Sequence, residues 1–324
     1  MRPLSVTGRH ETWPLVQAFT ISRGSKTAAD VVVVTVSDGQ HTGQGEAVPY
    51  TRYGETVAGT LDAIAAVGPL TTRDQLTERL APGAARNAID CALWDFEAKS
   101  SGVSCSARAG IAEMHSVVTA YTLSLGTPKA MADKALAFAN LPLLKLKLGA
   151  DGDEDRIRAV RAARPDARLI IDANEAWSIG KLPKLIEIAA EAGIETIEQP
   201  LPQGQDEALR GFARIVPICA DESVHVAADI HRLTGLYDAI NIKLDKAGGL
   251  TAALALHHAA RVAGLKIMVG SMVATSLAVA PAMILAQDAE WVDLDGPLLL
   301  AKDRPHGINI ERGLMAPPEP ALWG

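Results

Sequence analysis

Short apolar segments alternate with alanine-rich amphipathic segments over the last two-thirds of the chain, and this alternation constrains the fold most. Alternating strands and helices predict a parallel sheet, and eight such units are the number that closes a barrel. Eight segments have the length and composition of buried strands. The predicted strands are Val117–Leu123, Leu143–Leu148, Arg168–Ile171, Thr196–Glu198, Ile218–Ala220, Ala239–Ile242, Lys266–Val269 and Glu290–Leu294.

The first third of the chain has a different pattern. A β-branched run at Val31–Val36 is followed by the turn signal Asp38-Gly39 and by a second strand-like run at Gly43–Val48. Apolar residues recur on one helical face within Ala84–Lys99. We therefore expect a separate α+β domain before the barrel. The proline-containing tail is expected to pack back on that first domain.

Composition argues against several classes of function. The net charge of −7 over 324 residues lacks the basic excess of a nucleic-acid or membrane-surface binder. No run reaches the roughly 18 apolar residues of a membrane span, and the N-terminus lacks an apolar signal-like stretch. A cytoplasmic protein is expected. Three cysteines without a C-x-x-C pair support neither a disulfide framework nor a zinc cluster.

Charged residues stand at the carboxyl ends of the predicted strands. Lys147, Asp172, Glu198, Asp221 and Lys243 follow one another at intervals of 22–26 residues, about one βα unit each. The carboxyl ends of barrel strands converge on one mouth, where barrel active sites lie. Three carboxylates side by side repel one another and need compensation. Because their oxygens suit Mg²⁺, Asp172, Glu198 and Asp221 are predicted to hold one Mg²⁺ ion per subunit.

Three lysines are predicted to face the barrel interior or its mouth. A strand period of two places Lys145 and Lys147 on the same face, between leucines. Adjacent ammonium groups lower each other's pKa, so one of them can be neutral and act as a base. Lys243 comes from strand six, across the mouth from strand two. A carboxylate held between them would present one face of its neighbouring carbon to Lys147 and the other to Lys243.

Asp293 and Asp295 end strand eight at a spacing of two residues, so both can face the same side. Paired acids beyond a metal site suit a substrate ammonium group. A turn ahead of Gly296-Pro297 explains the same two residues equally well. The sequence leaves both interpretations open.

In order, these motifs resemble the enolase superfamily, in its muconate-lactonizing subgroup, over nearly the whole chain. Each motif alone is weak evidence for this superfamily, whereas the ordered set of motifs is specific to it. The resemblance implies an α/β fold, namely a modified TIM (β/α)7β barrel with an N-terminal α+β capping domain. The implied bounds are 1–112 for the capping domain, 113–300 for the barrel and 301–324 for the C-terminal segment. The matching motifs are Lys145-x-Lys147, Asp172-Ala-Asn174, Glu198-Gln199-Pro200, Asp221-Glu222-Ser223 and Asn241-Ile242-Lys243.

Within that group the chain is most similar to the L-Ala-D/L-Glu (dipeptide) epimerases. The narrower resemblance rests on Asp293-Leu294-Asp295, on Lys243-Leu-Asp-Lys-Ala-Gly-Gly, and on two early loops, Ile-Ser-Arg23-Gly-Ser-Lys and Arg52-Tyr53-Gly-Glu55. It implies a Mg²⁺-assisted 1,1-proton transfer by Lys147 and Lys243 at the α-carbon of the C-terminal residue of a dipeptide from murein turnover. The implied substrate contacts are Lys145, Asp293, Asp295, Arg23, Thr122, Tyr53, Ser271 and Met272, with Asn174 and Glu222 supporting the ligand shell.

Several alternatives stay open at this point. Within the superfamily, an N-succinylamino acid racemase or an o-succinylbenzoate synthase would use the same metal and lysines, but its substrate lacks a free α-ammonium group. A Schiff-base aldolase would use Lys243 as a nucleophile and would need no acid triplet. A barrel that only binds a ligand would not need its lysines for chemistry. The expected partner is a small dipeptide rather than a nucleic acid or a membrane, and a homo-oligomer is left open.

Overall fold

A computed structural model describes residues 3–149 and 151–324; residues 1 and 2 of the expected capping domain, and residue 150, lie outside the described part. The chain begins with a three-stranded antiparallel sheet in the order β1-β2-β3. Asp38 closes the β2–β3 turn, since its Oδ1 accepts the backbone N–H groups of Gln40 and His41 at 2.9 and 2.8 Å. The strands are β1 (Ser5–Ile21), β2 (Gly24–Ser37) and β3 (Thr42–Ala47).

Four helices pack beside this sheet, and the longest lies directly on β3. Gly43 and Gly45 allow this close approach, because a Cβ at either position would lie 2.2 Å from a backbone carbonyl oxygen of that helix. The two strands and the helix that the sequence predicts in this region are therefore confirmed. The helices are α1 (Val57–Val67), α2 (Arg73–Arg79), α3 (Ala84–Ser101) and α4 (Cys105–Arg108).

The second part of the chain contains an eight-stranded parallel sheet in sequential order. A parallel bridge between Thr119 and Val292 joins the first strand region to the last, and Ala120 N–H donates to Val292 O at 2.8 Å. All eight predicted strands and the α/β barrel are confirmed. After the short strand β4 (Val117–Val118) come β5 (Tyr121–Leu123), β6 (Leu143–Lys147), β7 (Arg168–Asp172), β8 (Ile194–Glu198), β9 (Ile218–Ala220), β10 (Ala239–Ile242), β11 (Lys266–Gly270) and β12 (Trp291–Asp293).

Helical segments fill the seven connections between barrel strands, and the link from β8 to β9 has only the 3₁₀ segment Asp206–Gly211. No helix in residues 3–149 or 151–324 is long and apolar enough to cross a membrane. The helices are α5 (Pro128–Ala137), α6 (Asp153–Ala163), α7 (Leu182–Glu191), α8 (Ile230–Leu233), α9 (Leu244–Ala247), α10 (Leu250–Val262), α11 (Ser276–Val279), α12 (Ala282–Ala286) and, after the last strand, α13 (Gly296–Leu299).

The C-terminal segment returns to both parts of the molecule. Strands β13 (Ile310–Glu311) and β14 (Leu314–Met315) form a small antiparallel sheet with β4. Farther on, Trp323 Nε1 donates to Cys91 O on α3 at 2.9 Å. Trp323 thus contacts the first domain, and the division of the chain at 112 and 300, with its C-terminal segment, stays a prediction.

Apolar and charged layers alternate along the barrel interior. An apolar cluster within the barrel includes Leu143, Ile170, Cys219 and Trp291. Because side chains two apart in a strand face the same side, the residues two positions later also point inward. Those positions hold Lys145, Asp172, Asp221 and Asp293, and this layer lies closer to the carboxyl ends of the strands.

Buried polar contacts join the first domain to the barrel near its mouth. Asp245, in α9, accepts hydrogen bonds at Oδ1 from Val48 N–H at 3.0 Å and from Asn87 Nδ2 at 2.8 Å. Arg86 donates to the carbonyl oxygens of Gly248 and Ala247. These contacts hold α3 and the end of β3 above the carboxyl ends of the barrel strands.

Replacing Asp245 with asparagine is expected to flatten the dependence of stability on pH. Burial raises the pKa of Asp245 to about 7, although its two hydrogen bonds oppose the shift. The folded protein then binds this proton more tightly than the unfolded chain, so wild-type stability should fall as the pH rises from about 4 to about 7. An asparagine Oδ1 can accept the same two hydrogen bonds and carries no charge.

Urea denaturation at about pH 5 and about pH 8 measures this effect. Asp245→Asn should gain stability relative to wild type at the higher pH and gain less at the lower one. Asp133→Asn, in an exposed ion pair with Lys129, is the control and should follow the wild type. Equal stability differences at both pH values for Asp245→Asn would contradict the assignment.

Candidate active site

Three buried carboxylates meet at the carboxyl ends of β7, β8 and β9. Lys147 pairs in register with Asp172, and Asp172 with Glu198, so these charged residues stand at one level of the sheet. Asp221 follows the end of β9 by one residue. The side chains of Asp172 and Glu198 are fully buried, and that of Asp221 almost fully. The sheet register therefore brings together the three acids that the sequence singles out.

Lysine ammonium groups lie between these carboxylates. Lys145 Nζ lies 2.5 Å from Glu198 Oε2 and 3.3 Å from Asp172 Oδ2. Lys147 Nζ lies 2.6 Å from the same Asp172 oxygen, and Lys243 Nζ lies 2.6 Å from Asp221 Oδ2. The positive charge of the lysines offsets the repulsion among the acids, which would otherwise make their joint burial costly.

The acids respond differently to this environment. Burial, reinforced by the charges of Asp172 and Asp221, raises the pKa of Glu198 to about 7. Burial acts in the same direction on Asp221, but Lys243 and Lys246 outweigh it and hold the pKa of Asp221 well below its ordinary value. The pKa values of Glu198 and Asp221 are thus shifted in opposite directions, and the two groups titrate together with their neighbours.

The surrounding acids determine the pKa of Lys145. Burial does disfavour the charged form of Lys145, but Asp293, Glu198 and Asp172 outweigh it and raise its pKa well above the ordinary value. Asp293 contributes a hydrogen bond at 2.6 Å. Three carboxylates, one of them 148 residues away in sequence, therefore hold Lys145 as the ammonium, and the neutral state of one strand lysine stays a prediction.

Lys147 and Lys243 lie on opposite sides of the barrel mouth. Lys147 ends β6 and Lys243 follows β10, and three strands separate β6 from β10 in the eight-stranded order. Both lysines line one cavity of about 400 Å³ above the carboxylates. Each keeps slight exposure, whereas Lys145 beneath them has none. A small molecule in this cavity can therefore be approached by an amino group from either side.

The loops that follow the metal-ligand candidates adopt left-handed backbone conformations. Asn174 and Glu175 have φ values of 45° and 65°, and Gln199 has 34°. Such values are unfavourable for residues other than glycine and cluster at functional sites. In this conformation Asn174 N–H donates to Asp172 Oδ1 at 2.9 Å, so the loop fixes one oxygen of that carboxylate. Asn174 thus supports the acid through its backbone.

Arginines of the first domain form part of the cavity roof. Arg23, in the turn between β1 and β2, lies 2.8 Å from Glu222 and 3.1 Å from Glu175. Arg52 donates two hydrogen bonds to Glu175 at 3.0 and 2.9 Å. Tyr53 lines the cavity close to these groups. Ion pairs thus connect two loops of the first domain to loops of the barrel. Glu222 pairs with Arg23 at this seam between the two domains.

The opposite side of the cavity holds the acidic pair at the end of the barrel. Asp295 Oδ2 accepts Thr122 N–H at 2.6 Å, and burial together with the charge of Asp293 raises the pKa of Asp295 to about 7. Asp295 precedes α13, but its side chain makes no capping hydrogen bond to that helix. Both acids, with Thr122, Ser271 and Met272, line the cavity. This geometry favours a binding role over a turn motif.

Unpartnered polar atoms concentrate around this cavity. Among residues 3–149 and 151–324, nine buried side-chain nitrogen or oxygen atoms have no hydrogen-bond partner, and six of them belong to residues in or next to the site. Buried polar groups are costly unless something satisfies them, so their grouping marks a ligand site. The six atoms are Asn174 Oδ1, Glu198 Oε2, Glu222 Oε2, His225 Nε2, Asn241 Oδ1 and Asp293 Oδ1.

The donor set suits a hard divalent cation. Asp172, Glu198 and Asp221 offer carboxylate oxygens, the ligands that Mg²⁺ prefers. Glu198 Oε2 contacts Lys145 Nζ at 2.5 Å, and a carboxylate oxygen has a further lone pair that could bind a cation beside this contact. The acidic, histidine and cysteine side chains of the described residues form no ready-made metal cluster. Each of the three carboxylates contacts a lysine ammonium group.

Two buried residues support the acids although the sequence analysis assigned them no role. Gln199 Oε1 accepts the backbone N–H groups of Asp221 and Ser223 at 2.9 and 3.2 Å. Lys246 Nζ donates to Asp221 Oδ1 at 2.5 Å. Both residues belong to the quoted motifs, and a polar residue predicted inside a buried loop is the signal that could have identified them.

Gln199→Leu is expected to weaken Mg²⁺ binding by roughly 10–100-fold, because Asp221 loses the group that orients its backbone. Calorimetric titration of the substrate-free protein measures this affinity without relying on activity. Gln75→Leu is the matched control, since Gln75 Oε1 accepts two hydrogen bonds from Thr71 within the first domain. Gln75→Leu should lower stability and leave Mg²⁺ affinity unchanged. Equal losses of affinity in both variants would show that Gln199 acts only through general stability.

Known proteins resemble this chain in sequence and in fold. The chain is 44% identical over 309 residues to an L-Ala-D/L-Glu epimerase of Escherichia coli K12, covering 94% of this chain and 96% of that protein. It is 43% identical over 300 residues to an N-acetyl-D-glutamate racemase of Pseudoalteromonas, covering 91% and 95%. A solved enolase family member from Agrobacterium tumefaciens, with homology to dipeptide epimerases and with bound sodium and L-Ala-L-Glu, is 50% identical. Its TM-score is 0.95, and the match covers 99% of this chain and 100% of that one.

Further solved dipeptide epimerases, 26–30% identical to this chain, contain Mg and a dipeptide. Family models match both parts of the chain. Residues 4–108 match the mandelate racemase/muconate lactonizing enzyme N-terminal domain, and residues 129–321 match the enolase C-terminal domain-like family. With the barrel, the first domain and the relatives in agreement, the chain belongs to the mandelate racemase/muconate lactonizing enzyme family of the enolase superfamily.

Proposed function

We propose that this protein is a Mg²⁺-dependent dipeptide epimerase that inverts the α-carbon of the C-terminal residue, with L-Ala-L-Glu and L-Ala-D-Glu as its substrate pair. The observation that carries the proposal is the placement of Lys147 and Lys243 on opposite sides of one cavity, above three buried carboxylates. Inversion at a carbon requires proton removal from one face and proton delivery to the other. Two amino groups on opposite sides supply both.

The charged residues buried beneath the cavity fit the substrate carboxylate. Mg²⁺ held by Asp172, Glu198 and Asp221 would act as a Lewis acid on that carboxylate. Lys145 would donate a hydrogen bond to one of its oxygens, where negative charge accumulates as the α-proton leaves. Because Lys145 is fully buried and fixed by acids, its charge is oriented before the reaction begins. This preorganisation lowers the free-energy cost of stabilising the negative charge that develops on the substrate.

The proton transfers follow from the positions of the two lysines. One lysine, as the neutral amine, accepts the α-proton, and the other, as the ammonium, donates a proton to the opposite face. After one turnover the two lysines have exchanged protonation states, so the reverse reaction uses them in the opposite order. Arg23, Arg52 and Tyr53 line the part of the cavity that the first domain covers, and this cover would limit the access of bulk water to the reacting carbon.

The ends of the cavity fit the remaining groups of an Ala-Glu dipeptide. Asp293 Oδ1 is buried without a hydrogen-bond partner, and with Asp295 it suits the substrate ammonium group. Arg23, at the seam with the first domain, suits the side-chain carboxylate of glutamate. Thr122, Tyr53, Ser271 and Met272 complete the walls. Asn174 and Glu222 support the site from the loops after β7 and β9.

A racemase of N-acylated glutamate is the second candidate, since one relative of nearly equal identity is an N-acetyl-D-glutamate racemase. Such a substrate keeps the glutamate and loses the ammonium group. The unpartnered oxygen of Asp293 then has no cation to meet, and this favours the dipeptide. Neither the geometry nor the relatives support a Schiff-base aldolase or a barrel that only binds a ligand. A cytoplasmic location, a role in recycling murein peptides and a homo-oligomeric state stay predictions.

Incubation in D₂O with Mg²⁺ tests the proposed function. L-Ala-L-Glu should gain one α-deuterium at glutamate and yield L-Ala-D-Glu, as read by mass spectrometry and chiral chromatography. EDTA should stop both changes, and added Mg²⁺ should restore them. N-acetyl-L-glutamate, N-succinyl-L-glutamate and L-Ala-L-Lys serve as comparison substrates. Exchange confined to the N-acylated amino acids would favour the second candidate, and no exchange in any dipeptide would refute the epimerase.

A further inference from the structure

A second cavity of about 400 Å³ lies beside the active-site cavity, outside the barrel mouth. Its walls come from the first domain, the first barrel strand, α5 and the C-terminal segment. They are largely apolar, and Tyr121 packs there against Phe138 with ring centroids 4.1 Å apart. The proposed reaction does not use this second cavity. The apolar part of the lining includes Val16, Tyr121, Phe138, Leu141, Leu298 and Ile310.

Two side chains, Phe19 and Leu299, line both cavities and so separate them. Phe19 resumes the pairing of β1 with β2 after a bulge, since Pro14 pairs with Ala28 and Phe19 pairs with Lys26. Within this irregular stretch Leu15 forms an antiparallel bridge with Leu300, so this part of β1 lies against the end of the barrel. Leu299 ends α13, four residues after Asp295. One half of this partition thus belongs to the first domain and the other to the barrel.

The partition lies beside the proposed ammonium site. Asp293 and Asp295 line the first cavity together with Phe19 and Leu299. In a bound dipeptide, the α-carbon of the N-terminal residue is one bond from its ammonium nitrogen. With the ammonium group at Asp293 and Asp295, a side chain longer than a methyl group would extend within the cavity that Phe19 and Leu299 line.

The second cavity has a positive lining. Lys134 and Arg312 contribute to it, and no aspartate or glutamate of the described residues does. Lys134 Nζ is held by Gln17 Oε1 at 3.0 Å and lies 4.8 Å from the ring centroid of Phe138. These contacts keep its ammonium group at the cavity wall. A side chain that entered from the first cavity would meet apolar walls and then two cations.

We propose that Phe19 and Leu299 are specificity-determining residues that restrict the N-terminal residue of the dipeptide to a small side chain. Removing either one joins the second cavity to the active site. The enlarged site then accepts long N-terminal side chains, and it accepts acidic ones better than basic ones. This inference rests on the proposed epimerase function and on the ammonium position at Asp293 and Asp295.

Phe19→Ala and Leu299→Ala test the partition from its two sides. The measured quantity is kcat/KM for L-Leu-L-Glu, L-Glu-L-Glu and L-Lys-L-Glu, each divided by the value for L-Ala-L-Glu. Both variants should raise the L-Leu-L-Glu ratio by roughly tenfold or more, the usual scale for the fit of a few methylene groups. The L-Glu-L-Glu ratio should rise more than the L-Lys-L-Glu ratio. Adding Lys134→Met to Phe19→Ala should reduce this preference for the acidic side chain.

Ile310→Ala is the matched control, because Ile310 lines the second cavity but not the active-site cavity. It enlarges that cavity without opening the partition and should keep the wild-type ratios. Circular dichroism melting identifies variants that are folded. Folded partition variants with wild-type ratios, or with no activity on any dipeptide, would overturn the inference, as would an equal gain in Ile310→Ala.

Wild-type activity on L-Ala-L-Glu in the same assay distinguishes a failure of this inference from a failure of the proposed function. If the wild type epimerises L-Ala-L-Glu and the ratios of the partition variants stay unchanged, only the role of Phe19 and Leu299 is refuted. If the wild type acts on no dipeptide, the proposed function fails and this inference fails with it.

Discussion

The joint burial of three carboxylates at the barrel mouth is the constraint on which the rest of the site depends. Asp172, Glu198 and Asp221 are removed from water and lie close enough to disturb one another's ionisation. Such a cluster is stable only with compensating positive charge. Lysines supply it, with Nζ–O distances of 2.5–2.6 Å. The groups proposed for chemistry are therefore also the groups that make the acid cluster tolerable in the folded protein.

Much of this arrangement follows from two periodicities of the sequence. The strand period of two places Lys145 and Lys147 on the same inward face, and the spacing of βα units places the acids at one level. Both depend on regular backbone geometry, so the eight strands, the barrel and the grouping of the strand-end residues could be predicted. The resemblance of the ordered motifs to a known family added the substrate.

The remaining features depend on irregular backbone and on contacts distant in sequence. Gln199 reaches the Asp221 loop from a left-handed backbone conformation that no periodicity indicates. The raised pKa of Lys145 depends on Asp293, which comes from the far end of the chain. The ion pairs of Arg23 and Arg52 with Glu175 join the two domains. The partition of Phe19 and Leu299 likewise needs the docked first domain, and short-range sequence patterns do not specify such contacts.

The central claim is that Lys147 and Lys243 act on opposite faces of one α-carbon, and single-lysine variants in D₂O test it most directly. Lys147→Ala and Lys243→Ala should each lose epimerisation by roughly 10²–10⁴-fold. Each should still exchange the α-proton of one epimer with retention of configuration, and the two variants should act on opposite epimers. Lys129→Ala, at an exposed lysine, should behave as wild type. Exchange of the same epimer by both variants, or near-normal epimerisation by either, would contradict the two-sided mechanism.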